Sequence, residues 1–289
     1  MDTVLSSSYV KQFLKPRPRD CNKGDFGKLL IIASCTAMSG AAAIAARAAL
    51  RSGVGLCAVA SAERALLPLK ISTPEAITLP LSETADGAIC KDALNTILNY
   101  AKGCTAAVLG CGLSVCEDTK ILVKGLLANL NIPIILDADG INIAAQNITI
   151  LRDTSAPLIL TPHLKEMSRL CGKTVYDIKA NKQKIASEFA KEHNVVLVLK
   201  DFETVIASPN GEISINRTGH GAMAKGGSGD MLSGMIGAFL AQGFSPKAAA
   251  ETAVFLHAKS GELCGQRMGD YSVLASDMTE ALPEVFQSI

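Results

Sequence analysis

Tryptophan is absent from this chain of 289 residues, and aromatic side chains make up only 4% of it. So few flat side chains exclude a base-stacking surface for single-stranded nucleic acid. An excess of one charge is missing as well. The formal net charge is +1, which gives no electrostatic drive toward nucleic acid or an anionic membrane. Long apolar runs are lacking: the Ala-rich stretch 41–50 contains Arg47 and is too short to cross a bilayer. The first eleven residues lack the apolar segment of a signal peptide. Nine cysteines are scattered without a Cys-x-x-Cys pair, and Cys104, Cys111 and Cys116 lack zinc-site spacing. These absences predict a soluble cytoplasmic protein with free thiols and no nucleic-acid or membrane partner. Two catalytic signatures are also missing, the P-loop and the Gly-x-Ser-x-Gly elbow.

What is present is alternation. Short runs at 28–33, 56–60, 106–109, 133–136, 158–160 and 195–199 are apolar on both faces, as buried parallel strands should be. Helical patterns at 39–51, 91–101, 118–130, 165–171 and 176–192 lie between them. A hairpin is expected at 203–208 and 212–216, turning at Pro209-Asn210-Gly211, followed by helices at 228–242, 246–264 and 272–281. This order predicts an α/β fold with a mostly parallel central sheet and helices on both faces. With 48% hydrophobic residues and no linker or repeat, residues 1–289 read as a single domain.

Ligands collect at the carboxyl ends of strands in such sheets. Small residues from Ser34 to Ala42 allow either close ligand approach or tight helix packing. Gly110-Cys111-Gly112-Leu113-Ser114 is a plain turn or a ligand loop. Asp137 and Asp139 suit a hydrated Mg²⁺ or a helix cap. His163 and Glu166 fall on one side of a helical first turn. Lys200 is a phosphate contact or a solvated turn residue. The most telling stretch is the Gly-rich segment 218–237. Glycines that open a helix at Ser228, read as its N-cap, offer an anion cradle, and Asp230 in the first turn is a carboxylate placed to take a proton.

In this order, Lys23-Gly24-Asp25-Phe26-Gly27-Lys28, the Ala-rich segment 38–55, Leu136-Asp137-Ala138-Asp139-Gly140, Leu160-Thr161-Pro162-His163 and Gly226-Gly227-Ser228-Gly229-Asp230 carry a resemblance over nearly the whole chain. The chain resembles the ADP/ATP-dependent (S)-NAD(P)H-hydrate dehydratases of the ribokinase-like superfamily. The resemblance implies a three-layer αβα fold and repair of NADH and NADPH hydrates (NADHX, NADPHX). The hydrate hydroxyl is phosphorylated by ADP or ATP with Mg²⁺, and phosphate is then eliminated. It implies that Asp230 is the base and that Gly227 and Gly229 serve the phosphoryl group. Ala42, Gly112, His163 and Asp230 would line the hydrate site. Lys200, Asp201, Phe202, Glu203, Thr204 and Gly229 would meet the nucleotide, and Glu166 would organise Mg²⁺ through water. It further implies a homotetramer of stand-alone dehydratases served by a separate epimerase.

The sequence departs from the family at Asp201, where Gly is usual and where a carboxylate repels phosphate unless it points away. Other departures are Cys111 and Ser114 in the Gly-Pro-Gly-Leu-Gly loop, Leu164-Lys165 after His163, and His220 where Asn is common. Two rival readings are a kinase for a hydroxymethyl pyrimidine or thiazole vitamin precursor, and a nucleotide-binding regulator without activity.

Overall fold

A computed structural model describes residues 2–289. Among these residues ten strands form one sheet: β1 (Thr3–Val4), β2 (Lys28–Ile32), β3 (Leu56–Ala62), β4 (Ile77–Leu81), β5 (Ala106–Leu109), β6 (Ile134–Leu136), β7 (Leu158–Leu160), β8 (Val196–Leu199), β9 (Thr204–Ala207) and β10 (Ile213–Asn216). Among the described residues twelve α-helices accompany them. The first six are α1 (Ser7–Lys11), α2 (Gly40–Arg51), α3 (Leu67–Ser72), α4 (Leu94–Ala101), α5 (Glu117–Asn129) and α6 (Asp139–Gln146). The remainder are α7 (Leu164–Cys171), α8 (Val175–Ala180), α9 (Lys182–His193), α10 (Ser228–Ala241), α11 (Pro246–Ser272) and α12 (Ala275–Gln287).

The strand order is β1-β10-β9-β8-β7-β6-β5-β2-β3-β4. All neighbours are parallel except β8 with β9 and β9 with β10, the expected hairpin. Alternate residues of β2 face opposite layers. Leu29 and Ile31 pack with α2, α10, α11 and α12, while Leu30 and Ile32 pack with α4, α5, α6, α7 and α9. The fold is therefore α/β with three αβα layers, as the buried runs predict.

Winding reverses between β2 and β5, which lie side by side although three strands apart in sequence. At their carboxyl ends the two following loops are tied together: Ser34 N donates to Cys111 O (2.8 Å) and Cys35 N to Gly112 O (2.7 Å). A strand-order reversal of this kind opens a crevice for ligands. Helix α10 lies close to that crevice because its glycines permit it. A Cβ on Gly234 would lie 2.1 Å from Ala45 O of α2. At Gly237 it would meet Val108 and Leu29 side chains at 2.7 and 3.0 Å.

Several boundaries differ from expectation. The pattern at 176–192 splits into α8 and α9 at Asn181, whose φ of −131° ends the first helix. The expected last two helices run longer, and Gly269 (φ 76°) kinks α11. Helix α10 is capped by Gly227 in the left-handed region, not by Ser228, which is already helical. Edge strand β4 was not expected; Pro80 lacks the amide donor that inner strands need.

Candidate active site

Helix α10 brings its amino end over the carboxyl ends of β5, β6 and β8. Gly227 makes the turn at φ 90°, and any Cβ there would lie 2.7 Å from Ile44 Cδ1 and 3.2 Å from Ala275 Cβ. A glycine cap leaves the first-turn amides without a side-chain acceptor. Such amides and the helix dipole together favour an anion.

A buried ion pair lies directly below. Lys200 Nζ is 3.0 Å from Asp137 Oδ1, and Ser233 Oγ of α10 donates to Asp137 Oδ2 at 2.7 Å. A Cβ on Gly229 would be 3.4 Å from the same ammonium, so Lys200 reaches the helix end as well. Lys200 is thus drawn into the site, whereas taken alone in the sequence it also reads as a solvated turn residue. Burial by itself raises the Asp137 carboxyl, but Lys200 and the hydroxyls of Thr161 and Ser233 outweigh it, and the group stays below its ordinary value. Burial pushes Lys200 down, but Asp137 and Glu166 raise it further, so the ammonium stays charged.

Asp230 behaves differently. Burial first, then the nearby Asp137 charge, push its carboxyl up to about 6 against the opposing Cys111 and Lys200. A carboxylate near neutrality is matched to proton transfer at physiological pH. Cys111, Asp137 and Asp230 bring their donor atoms within 4.8 Å of one another. This trio does not fit a resident Mg²⁺. The buried thiol is held well above its ordinary range, chiefly by desolvation and then by Asp230 and Asp137, so it stays neutral. Asp137 is already neutralised by Lys200, and Mg²⁺ demands an octahedral oxygen shell.

His163 and Glu166 cap α7 reciprocally. His163 Nδ1 accepts from the amides of Lys165 and Glu166 (both 3.1 Å), and Glu166 Oε2 accepts from His163 N (2.8 Å). An accepting Nδ1 leaves the ring proton on Nε2, which faces Glu166 Oε1 at 3.4 Å. Burial holds Glu166 at about 6 and lowers His163. Lys200 N donates to Pro162 O, tying the His163 turn to the Lys200 strand end. On the other side, Ala42 N is taken by Ser34 Oγ at 2.9 Å, and Gly112 (φ 60°) lies against Ala41 and Met38. A separate cavity of about 1060 Å³ among Phe13, Phe26, Phe239 and Phe244 contains none of these residues and lies toward the amino ends of the strands.

The family model described as NAD(P)H-hydrate dehydratase matches residues 29–284. The chain belongs to the NAD(P)H-hydrate dehydratase family. It is 34% identical to the ADP-dependent (S)-NAD(P)H-hydrate dehydratase of Bacillus subtilis, over 98% of this chain and 97% of that protein. It resembles a crystal structure of the ADP/ATP-dependent NAD(P)H-hydrate dehydratase from Bacillus subtilis co-crystallised with ATP/Mg²⁺ (TM-score 0.86, 31% identity, 99% and 98% of the two chains). A ribokinase-like superfamily protein from Enterococcus faecalis shares the architecture (TM-score 0.85, 27% identity, 99% and 95% covered). The chain spans about half the length of the bifunctional NAD(P)H-hydrate repair enzymes it also matches.

Within this NAD(P)H-hydrate dehydratase scaffold the departure at Asp201 has a structural answer. Its Oδ2 is 2.6 Å from Lys182 Nζ, which also donates to Glu203 O (3.1 Å) and sits over the Phe202 ring. The carboxylate is turned toward α9. Thr204 Oγ1 donates to Asp201 O, and Glu203 pairs with Arg217 at 3.2 Å. The unusual His220 caps the turn at 221–223 through Nδ1, and Gly265 leaves room for its ring.

Sequence reasoning missed Ser233, Lys182 and His257. Ser233 lies three residues after Asp230 on α10, and that helical spacing could have drawn notice. His257 is buried in α11, 3.2 Å from Ser228 Oγ, and burial lowers it to about 4, so the ring is neutral at pH 7. Its distance from Ser228 in sequence gave no signal.

Proposed function

We propose that the chain is a nucleotide-dependent dehydratase that returns the S epimers of NADH hydrate and NADPH hydrate to the working cofactors, with ADP as the natural phosphoryl donor. The observation that carries this reading is Asp230, a carboxylate near neutrality in the first turn of a glycine-capped helix beside the Lys200–Asp137 pair. We propose further that one domain carries the whole site, since both helical layers share a single sheet.

Asp230 accepts the proton of the hydrate hydroxyl as its oxygen attacks the terminal phosphorus of the nucleotide. The new O–P bond forms as the bond from that phosphorus to the bridging oxygen breaks, releasing AMP from ADP or ADP from ATP. First-turn amides of α10 and the Lys200 ammonium hold the charge that builds on the transferring group. Phosphate is then a far better leaving group than water. The C–O bond breaks, the adjacent C–H proton is lost, and the ring double bond returns. When bound with the nucleotide, Mg²⁺ would neutralise phosphate charge, and Glu166 would be the residue to help hold it. Ala42, Gly112 and His163 line the hydrate side. Lys200, Asp201, Phe202, Glu203 and Thr204 border the nucleotide, and Asp201 is kept off the phosphates by Lys182.

Purified protein mixed with the S epimer of NADPH hydrate, Mg²⁺ and either ADP or ATP tests the reading through absorbance of reduced nicotinamide. A rise that depends on nucleotide, with inorganic phosphate released in step, is expected. A stable phosphorylated product without that rise would replace the dehydratase with a small-molecule kinase.

A further inference from the structure

The cavity at the amino ends of the strands takes no part in the reaction proposed above. In a chain with only 4% aromatic residues, five of the eight phenylalanines line it: Phe13, Phe26, Phe239, Phe244 and Phe286. At about 1060 Å³ it is large enough for a metabolite. Phe239 is buried with the Phe244 ring 5.1 Å away, and the four other rings stay partly exposed.

One wall is the segment 12–18, which leads from α1 to the turn at 23–26. It is anchored at its start, where Tyr9 donates to the buried Glu251 (2.9 Å) and its ring meets Phe13 edge-on at 5.5 Å. Lys15 and Arg17 each precede a proline. That position favours extended backbone, in which residues two apart share a side, and both line the cavity.

The charge around the cavity is one-sided. Its charged residues are Lys15, Arg17, Asp25 and Arg51. Asp25 is engaged in its own turn, where Oδ2 accepts from the Asn22 amide (2.7 Å) and side chain (2.9 Å). Arg51 pairs with Glu280 at 2.6 Å. Lys15 and Arg17 have no carboxylate partner among the described residues. The Arg17 guanidinium lies over the Phe26 ring, 3.7 Å from its centroid. Its Nη2 donates to Gly53 O and faces Gln242 Oε1 at 3.4 Å. Nε and Nη1 meet no acceptor among the described residues, so a guanidinium already held in place keeps donors free.

We propose that this cavity is a second ligand site, built for a small aromatic acid whose rings lie among the phenylalanines and whose carboxylate meets Arg17. Flat rings gain from aromatic neighbours beyond the area they bury, and the free guanidinium donors match a carboxylate. Lys15 adds charge at the rim.

Calorimetric titration of the full chain with naphthalene-2-carboxylate tests this, with naphthalene-2-carboxamide as the uncharged counterpart. The acid should bind saturably and about tenfold tighter than the amide. Decanoate, an acid without rings, should bind about fivefold more weakly than the naphthalene acid. Arg17→Met keeps an apolar stem and should weaken the naphthalene acid about tenfold while leaving the amide within about twofold. Arg19→Met removes an exposed charge outside the cavity lining and should leave both unchanged. Saturating ADP should not displace the acid. Lack of saturable binding at about 1 mM acid, whether a second copy covers the cavity or water alone fills it, overturns the proposal. Equal affinity for acid and amide does the same, as does decanoate binding as tightly as the naphthalene acid. Wild-type affinity in Arg17→Met also overturns it, and displacement by ADP would move the probe to the nucleotide end. The acid–amide and decanoate contrasts are read on the wild type, so the outcome does not depend on Arg17→Met folding.

Discussion

Lys200 and Asp201 are neighbours in the chain yet belong to different regions of the site. Lys200, itself 21% exposed, pairs with Asp137, whose side chain is 2% exposed, and reaches the amino end of α10. Asp201 turns away to Lys182 (12% exposed), and its own carboxylate keeps 15% exposure where Asp137 keeps 2%. Both are lysine–carboxylate contacts, at 3.0 and 2.6 Å. The shorter contact is not the more consequential one. In the inner region the carboxylate is dry, so losing its cation leaves a charge that water cannot reach. In the outer region a surviving partner can turn to solvent. The inner pair concentrates charge where a phosphoryl group would pass, and the outer pair keeps a charge away from it.

The largest effect should come from the inner region. Asp230→Asn removes the proton acceptor and should lower kcat of hydrate repair by about a thousandfold or more, with nucleotide affinity largely retained. Steady-state rates beside a calorimetric nucleotide titration check this. Wild-type turnover in that variant would place the base elsewhere.

Next in size is a stability contrast. Lys200→Met leaves Asp137 buried and unpaired and should cost about 3 kcal/mol in urea unfolding. Lys182→Met should cost about 1 kcal/mol or less, because Asp201 can rehydrate. Equal losses would erase the distinction between the two regions.

Asp230 itself should act against stability. Its folded pKa of about 6 stands above the ordinary 3.8, so the folded state holds the proton more tightly. The stability this gives is present below pH ~4 and is lost as pH rises through ~6. Asp230→Asn should therefore match the wild type at pH 4 and exceed it by about 1–2 kcal/mol above pH 7. Unfolding curves across that range decide it. An inactive variant that is more stable would mark the inner region as one where function opposes folding.

Much of the outer frame was legible in the sequence. Runs such as 106–109 and 158–160 are apolar on both faces, and only a covered parallel strand buries both. The glycine run before Asp230 likewise marks a helix start, and α10 begins there with no side-chain cap. The inner contacts were not legible. Asp137 and Lys200 lie 63 residues apart, and Ser233 reaches Asp137 across 96. Such pairings depend on strand order, and the reversal between β2 and β5 leaves no periodic trace. Cys111 reads as a turn residue because its two glycines give the same signal with or without chemistry nearby. The direction of Asp201 was illegible for a related reason. It depends on Lys182, at the start of a helix that the sequence pattern merges with the one before it.

That last dependence gives the smallest and sharpest test of the comparison. Asp201→Gly restores the residue usual at this place, yet should change nucleotide affinity less than about twofold, because the carboxylate already points at Lys182. Lys182→Ala frees that carboxylate and should weaken ADP or ATP binding about fivefold, with a smaller deficit at high salt. The double variant separates two causes of that loss. If Lys182 acts only by restraining Asp201, the double variant should bind like Asp201→Gly alone, a coupling of about 1 kcal/mol. If Lys182 touches the nucleotide itself, the loss should persist without Asp201. The outer pair would then belong to the binding surface, and the two regions would differ in burial but not in kind.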